Sequence, residues 1–149
     1  MSPETFRYAA IMLLAGVGIP LMAALNTQLG KGIGSPAAAA TVLFTVALIA
    51  SATAMMLTSG PQPLRLVPSQ PIFLLFAGLG VVFYVLSVTW IAPRFGIGNA
   101  IFCVLLGQMI AATAIDHFGL FGAVVKPLGM LRASGIGFMI LGILLIQKA

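Results

Sequence analysis

The sequence predicts an all-α membrane protein with five transmembrane helices, and three observations carry that expectation. Five apolar stretches fill the 149 residues, at about 8–29, 35–57, 72–92, 98–117 and 128–147. Each is near the roughly 20 residues that a helix needs to cross the hydrocarbon core. Charged residues are only 6% of the chain and hydrophobic ones 61%, whereas a soluble domain carries about 25% charged residues. The cations Arg7, Lys31, Arg65, Arg94, Lys126, Arg132 and Lys148 all sit near the ends of the apolar stretches.

The first helix runs from near Arg7 to Leu29 and is expected to stop at Gly30-Lys31-Gly32, where glycine permits a left-handed cap. Its basic head is a single Arg7 offset by Glu4, and Gly18 and Pro20 interrupt its apolar core, so it reads as a retained helix and not a cleaved leader. Ser35 and Pro36 restart the chain as N-cap and first helical residue. The second helix ends near Thr58-Ser59-Gly60-Pro61. The proline-rich segment 61–71 reads as an extended surface loop. The third helix is expected to halt at Ala92, because Pro93 disfavours helix before it. Gly96 and Gly98 make the next turn, and the fourth helix runs to about His117 with Gly119 as its cap. Segment 120–126 is a connector near the interface, and Pro127 opens the fifth helix. A single transmembrane domain over 1–149 is the expected organisation.

A faint internal echo accompanies this order. Ala15-Gly16-Val17-Gly18 resembles Ala77-Gly78-Leu79-Gly80, and Gly32-Ile33-Gly34-Ser35 resembles Gly96-Ile97-Gly98-Asn99. Helices one and two would then repeat as helices three and four, with helix five added.

Composition excludes several classes. The net charge of +5 is spread over isolated residues at helix ends, where Lys and Arg snorkel to headgroups and set topology. There is no basic patch with interleaved aromatics, so no nucleic-acid partner is expected. One His, one Cys and two acids make no triad, paired-carboxylate site or metal cluster, so neither enzyme activity, a cofactor nor a metal is expected. Cys103 reads as a small buried hydrophobe.

The charges also bear on orientation. With five spans, the side holding the N-terminus carries Arg7, Arg65, Lys126 and Arg132, and the opposite side carries Lys31, Arg94 and Lys148. Four against three barely engages the positive-inside rule. Molecules are therefore expected to insert both ways and to pair as an antiparallel, dual-topology homodimer of ten helices. Its two-fold axis would lie in the membrane plane, the symmetry that many transporters reach by inverted repeats.

The chain resembles the small five-helix YdcZ-type family of the drug/metabolite transporter superfamily. The likeness is carried by Gly18-Ile19-Pro20, by Ala24-Leu25-Asn26-Thr27-Gln28-Leu29-Gly30, and by Gly34-Ser35-Pro36. It continues in Gly107-Gln108, in Asp116-His117-Phe118-Gly119-Leu120-Phe121-Gly122, in Arg132 before Gly135, and in the terminal Leu144-Leu145-Ile146-Gln147-Lys148. The resemblance implies a multi-pass transporter of the bacterial inner membrane that moves a small solute as a dual-topology dimer. The related four-helix multidrug transporters carry a glutamate within their first helix. The first apolar stretch here has no acid, which sets this chain apart from proton-coupled cation export by that route.

Neutral polar residues are the candidate solute contacts: Thr45, Tyr84, Ser87 and Gln108 at mid-depth, and Asn26 near the end of helix one opposite the N-terminal side. Lipid offers such groups no partner, so they either line a polar cavity or bond between helices. Gly18 and Pro20 predict a kink in helix one, either a hinge or a static packing feature. Asp116 at a helix C-terminus opposes the helix dipole and, with His117, reads as an interface cap. The conduction mode stays open between a carrier, a passive ion channel of the same symmetry and a non-transporting accessory protein.

Small residues recur at packing spacings: Gly107 and Ala111, Ala133 and Gly137, Gly135 and Gly142. Faces of this kind let helices approach closely, and helix five is expected to contribute to dimerisation. Gly135→Leu or Gly142→Leu should then shift the dimer to monomer in detergent, read by light scattering, whereas an unaltered dimer would contradict that role.

Overall fold

A computed structural model describes residues 3–148 as an all-α chain. Its helices are α1 (Pro3–Ile33), α2 (Pro36–Thr58), α3 (Ala77–Phe95), α4 (Ile97–Phe118) and α5 (Met130–Ile146). Short 3-10 segments occupy Gln62–Ser69, Ile72–Phe76 and Leu120–Gly122. Four spans are long and apolar enough to cross a membrane: Glu4–Ile33, Pro36–Thr58, Ile72–Phe95 and Ile97–Phe118. α5 is apolar too but shorter, at 17 residues. The chain divides into two compact units, Met1–Arg94 and Phe95–Ala149.

The first unit is built as lipid-facing helices are. Its long side chains point outward: Leu13 is 72% exposed, Leu57 82% and Phe83 75%. Its buried positions are mostly small, namely Ala23, Ala39, Ala40, Val85, Val88 and Ala92. Lipid tails are as apolar as leucine, so large aliphatic residues gain little by turning inward, and small ones bring backbones together.

The α1–α2 turn shows this closeness. Gly34 takes φ 72°, and Ser35 follows in extended geometry as N-cap, its Oγ accepting the Ala38 N–H at 3.2 Å. Pro36 opens α2 where its missing donor costs nothing. A Cβ added to Gly30 would lie 3.2 Å from Thr89 Cγ2 and 3.5 Å from Pro36 Cα. Glycine here admits α2 and α3 against α1.

Several boundaries differ from the sequence expectation. α1 does not stop at Gly30-Lys31-Gly32 but runs to Ile33, because the left-handed turn is made by Gly34. It also begins earlier, so Glu4 falls in its first turn. Its dipole favours an acid there, and the apolar interior of the helix keeps no charge. The helix continues unbroken across Pro20. Segment 61–71 is not extended: Gln62–Ser69 winds into a 3-10 helix. α3 does not end at Ala92 but passes Pro93 to Phe95. The donor that proline removes falls in the last turn, and there Arg94 Nη1 donates to the Trp90 carbonyl at 2.7 Å. Its guanidinium also lies 5.0 Å from the Trp90 ring centroid.

In the second unit, Gly96 caps α4 at φ 88°, so α4 starts at Ile97 and not Gly98. α4 closes on Gly119 in the left-handed region. A Cβ there would lie 2.7 Å from Val125 Cγ2. Pro127 does not open α5; Gly129 is its N-cap and Met130 its first residue. Cys103 is exposed and not buried, and Gln147 Nε2 donates to its Sγ at 3.6 Å.

One buried bond ties α1 to α3. Asn26 Nδ2 donates to Thr89 Oγ1 at 2.7 Å, and that hydroxyl donates to the Val85 carbonyl at 2.7 Å. Asn26 and Thr89 are 5% and 3% exposed, so Thr89→Val strands a buried amide. We expect Thr89→Val to lower stability by about 0.6–1.7 kcal/mol in denaturant titration of the detergent-solubilised protein, with Thr89→Ser close to wild type. Equal stability of Val and Ser variants would contradict the role assigned to this bond.

Candidate solute site

The polar groups of the first unit gather where α1 meets α3. Asn26 and Tyr84 line a tight pocket together with Met22, Ala23, Val85, Val88 and Thr89. Asn26 is held by Thr89, whereas the hydroxyls of Thr27 and Tyr84 are buried without a hydrogen-bond partner. Buried hydroxyls are rarely left in this state, and the pocket itself has no space for even a water molecule.

The first unit also has two open grooves, the first of which shares Met22 and Asn26 with this cluster. One, of about 400 Å³, lies between α1 and α2 and is lined by Met22, Leu25, Asn26, Leu29, Val42, Leu43 and Val46. The other, of about 460 Å³, lies between α2 and α3, with Ala37, Ala40, Thr41, Phe44, Thr45, Leu48, Val82 and Leu86. Small-molecule sites are commonly about 300–1,000 Å³ and mainly apolar with few polar groups. Asn26 borders both the tight pocket and the first groove. Thr45 and Thr41 border the second, and their hydroxyls donate back to the carbonyls of Thr41 and Ala37 at 2.8 and 3.0 Å. Those donors are spent within the helix, leaving oxygen lone pairs toward the groove.

Of the five residues expected to contact solute, Asn26 and Tyr84 come together, and Thr45 lines the groove between α2 and α3. Ser87 is half-buried on α3. Gln108 belongs to the second unit, where it is exposed on α4. The sequence reading missed Thr89, Thr27 and Thr113, all buried. For Thr89 a signal existed. Val85, Val88, Thr89 and Ala92 are the buried residues of α3, and their spacing of three, four and seven marks one helical face.

In the second unit, Asp116 and His117 fasten the end of α4. Arg132 Nη2 reaches Asp116 Oδ2 at 2.9 Å, with both side chains about one-third exposed. The cation offsets an acid placed against the helix dipole. His117 Nδ1 accepts the Leu128 N–H at 2.9 Å, and the Asp116 carbonyl accepts the Lys126 N–H at 2.8 Å. An apolar pocket of about 370 Å³ lies beside them, lined by Ile110, Thr113, Ala114, His117, Phe118, Leu128 and Ile136. The glycines proposed for dimer packing, Gly107, Gly135, Gly137 and Gly142, have open space where a Cβ would stand. Ala111 and Ala133 are exposed. Among the described residues no group of three or more His, Cys, Asp or Glu could hold a metal.

Because the Asp116–Arg132 pair is part-exposed, its worth is small. Arg132→Gln should cost no more than about 1 kcal/mol in thermal unfolding in detergent, and Asp116→Asn in the same chain should recover most of it. A loss that the second substitution leaves unchanged would show that Arg132 acts through some contact other than Asp116.

The comparisons with known proteins agree with this picture of an apolar helical chain. Neither a curated protein nor a solved structure matches it. A family model described as "Putative inner membrane exporter, YdcZ" matches residues 7–145. With several apolar helices and a match over nearly its whole length, the chain is a multi-pass inner-membrane protein and belongs to the YdcZ family.

Proposed function

We propose that this protein is a bacterial carrier that moves a small solute by alternating access, as an antiparallel homodimer of five-span protomers. The solute is uncharged and recognised by hydrogen bonds. α5 supplies the fifth span. Its 17 residues rise about 25 Å at 1.5 Å each, within the short end of the spanning range. The exporter description of the family supports transport as the activity.

The observation that carries the dimer is the balance of cations. With α5 across the membrane, Arg7, Arg65, Lys126 and Arg132 face Lys31, Arg94 and Lys148, an excess of 4 − 3 = 1. Orientation follows the Lys and Arg bias of short loops, and so small a bias leaves both insertions open. Two oppositely inserted copies then form the inverted pair that carriers use, with the solute near the bilayer midplane. Helix faces bearing Gly107, Ala111, Ala133, Gly135, Gly137 and Gly142 supply close packing between copies.

The solute chemistry follows from what lines the grooves. Asn26, Thr41 and Thr45 offer amide and hydroxyl groups among aliphatic side chains. Neither of the two acids is among the residues that line the grooves. Glu4 lies in the first turn of α1, and Asp116 is engaged by Arg132. A cation would find no counter-charge along these grooves. Gly18 and Pro20 in α1 provide a place for the helix to bend during access exchange.

A dual-topology ion channel is the second reading, favoured by the row of Thr41 and Thr45 oxygens on one face of α2. In proteoliposomes a carrier saturates at low turnover and a channel does not. Topology is tested with single cysteines at Gly32 and Gln62 on a Cys103→Ala background, which leaves every cation in place. Each position is expected to react with an impermeant maleimide from both faces of the membrane. Labelling from one face alone would overturn the antiparallel dimer.

A further inference from the structure

The chain between α4 and α5 is fastened to the last turn of α4 at three points: Lys126 N–H to the Asp116 carbonyl, Leu128 N–H to His117 Nδ1, and Arg132 to the Asp116 carboxylate. The bond to His117 holds the residue just before Gly129, the N-cap of α5. It differs from the other two in its chemistry. Nδ1 accepts a hydrogen bond only while it carries no proton, so the Leu128 N–H fixes the neutral imidazole with its proton on Nε2. An imidazolium carries a proton on both nitrogens. Nδ1–H would then face N–H, donor against donor, across a 2.9 Å gap.

The connector is also held in a conformation that it would leave if freed. Phe121 has φ 55°, in the left-handed region that disfavours residues with a side chain, and its ring is 81% exposed. Gly119 and Gly122 on either side have φ 62° and 79°. Strain of this kind persists only where surrounding contacts enforce it, and the fastenings beyond it are those just described.

We propose that His117 is a proton-binding site: neutral, it fastens the start of α5 to α4, and protonated, it releases it. Histidine is the side chain that ordinarily changes charge between about pH 5 and pH 8. The charged groups around it are Asp116 on its own helix, Lys126 on the connector and Arg132 on α5. Asp116 is engaged by Arg132, so the carboxylate holds its own fastening while the imidazole changes state. The Phe118 ring stands edge-on to the imidazole at 4.7 Å between centroids. One turn back along α4, the Thr113 hydroxyl is buried without a partner and has lone pairs to offer. The inference stands on the geometry of this hairpin and not on the transport reading.

The test places a nitroxide at Val124, through Val124→Cys on a Cys103→Ser background, in the full chain in liposomes. Between about pH 8 and pH 5 the mobile fraction of the spin-label spectrum is expected to rise several-fold. His117→Asn puts an amide oxygen close to the place of Nδ1 and does not titrate, so its label should stay immobile throughout. His117→Phe, with no acceptor, should be mobile at both ends. Any contribution from Asp116, Lys126 or Arg132 persists in the His117→Asn protein and is subtracted by it. A pH-invariant spectrum with His117 present, or the same pH response in His117→Asn, would overturn the proposal; neither outcome depends on whether solute moves.

Discussion

The constraint on which the rest depends is that the bilayer core tolerates neither an unpaired charge nor an unbonded backbone group. It explains why the apolar runs of the described chain are helical, and why its cations stand at helix ends. It also makes the number of crossings decide the balance of charge. With five spans the two sides hold four and three cations, but with four they would hold five and two. In the second case Lys148 joins Arg7, Arg65, Lys126 and Arg132, and the bias becomes 5 − 2 = 3. The shortest helix, α5, thus carries more consequence for assembly than any other. Its 17 residues give it little length to spare.

Inside the first unit the same constraint acts on neutral polar groups. The buried Asn26 amide needs a partner among apolar side chains, and Thr89 supplies it while its own hydroxyl donates a hydrogen bond to the Val85 carbonyl. This short chain of bonds fixes α1 against α3, and Gly30 leaves room beside it for the Thr89 methyl group. Thr27 and Tyr84 are buried without such a partner.

Much of this was legible in the sequence, because hydrocarbon thickness and cation placement leave a plain record. The helices appear where the apolar runs lie, Ser35 and Pro36 act as expected, and Asp116 is neutralised by a cation as its position at a helix end required. What was not legible depends on local competition. Pro93 was expected to stop α3, but in a last turn its missing donor has little to disrupt. Segment 61–71 contains four prolines yet coils into a 3-10 helix. Among solute candidates, polarity within the apolar runs picked out Asn26 and Tyr84, which line one pocket. It overlooked Thr89, because threonine reads as ordinary helix filling until the face it shares with Val85, Val88 and Ala92 is counted. The His117–Leu128 bond was illegible in principle, since it joins a side chain to a backbone group across an irregular connector.

The most direct measurement concerns the C-terminal end. Two fusions at Ala149, one to a phosphatase active only outside the cytoplasm and one to a fluorescent protein that matures only within it, report where that end lies in living cells. If α5 crosses and the near-equal cations leave insertion undecided, as proposed, both reporters should be active at comparable levels. Activity of one reporter alone would contradict the account.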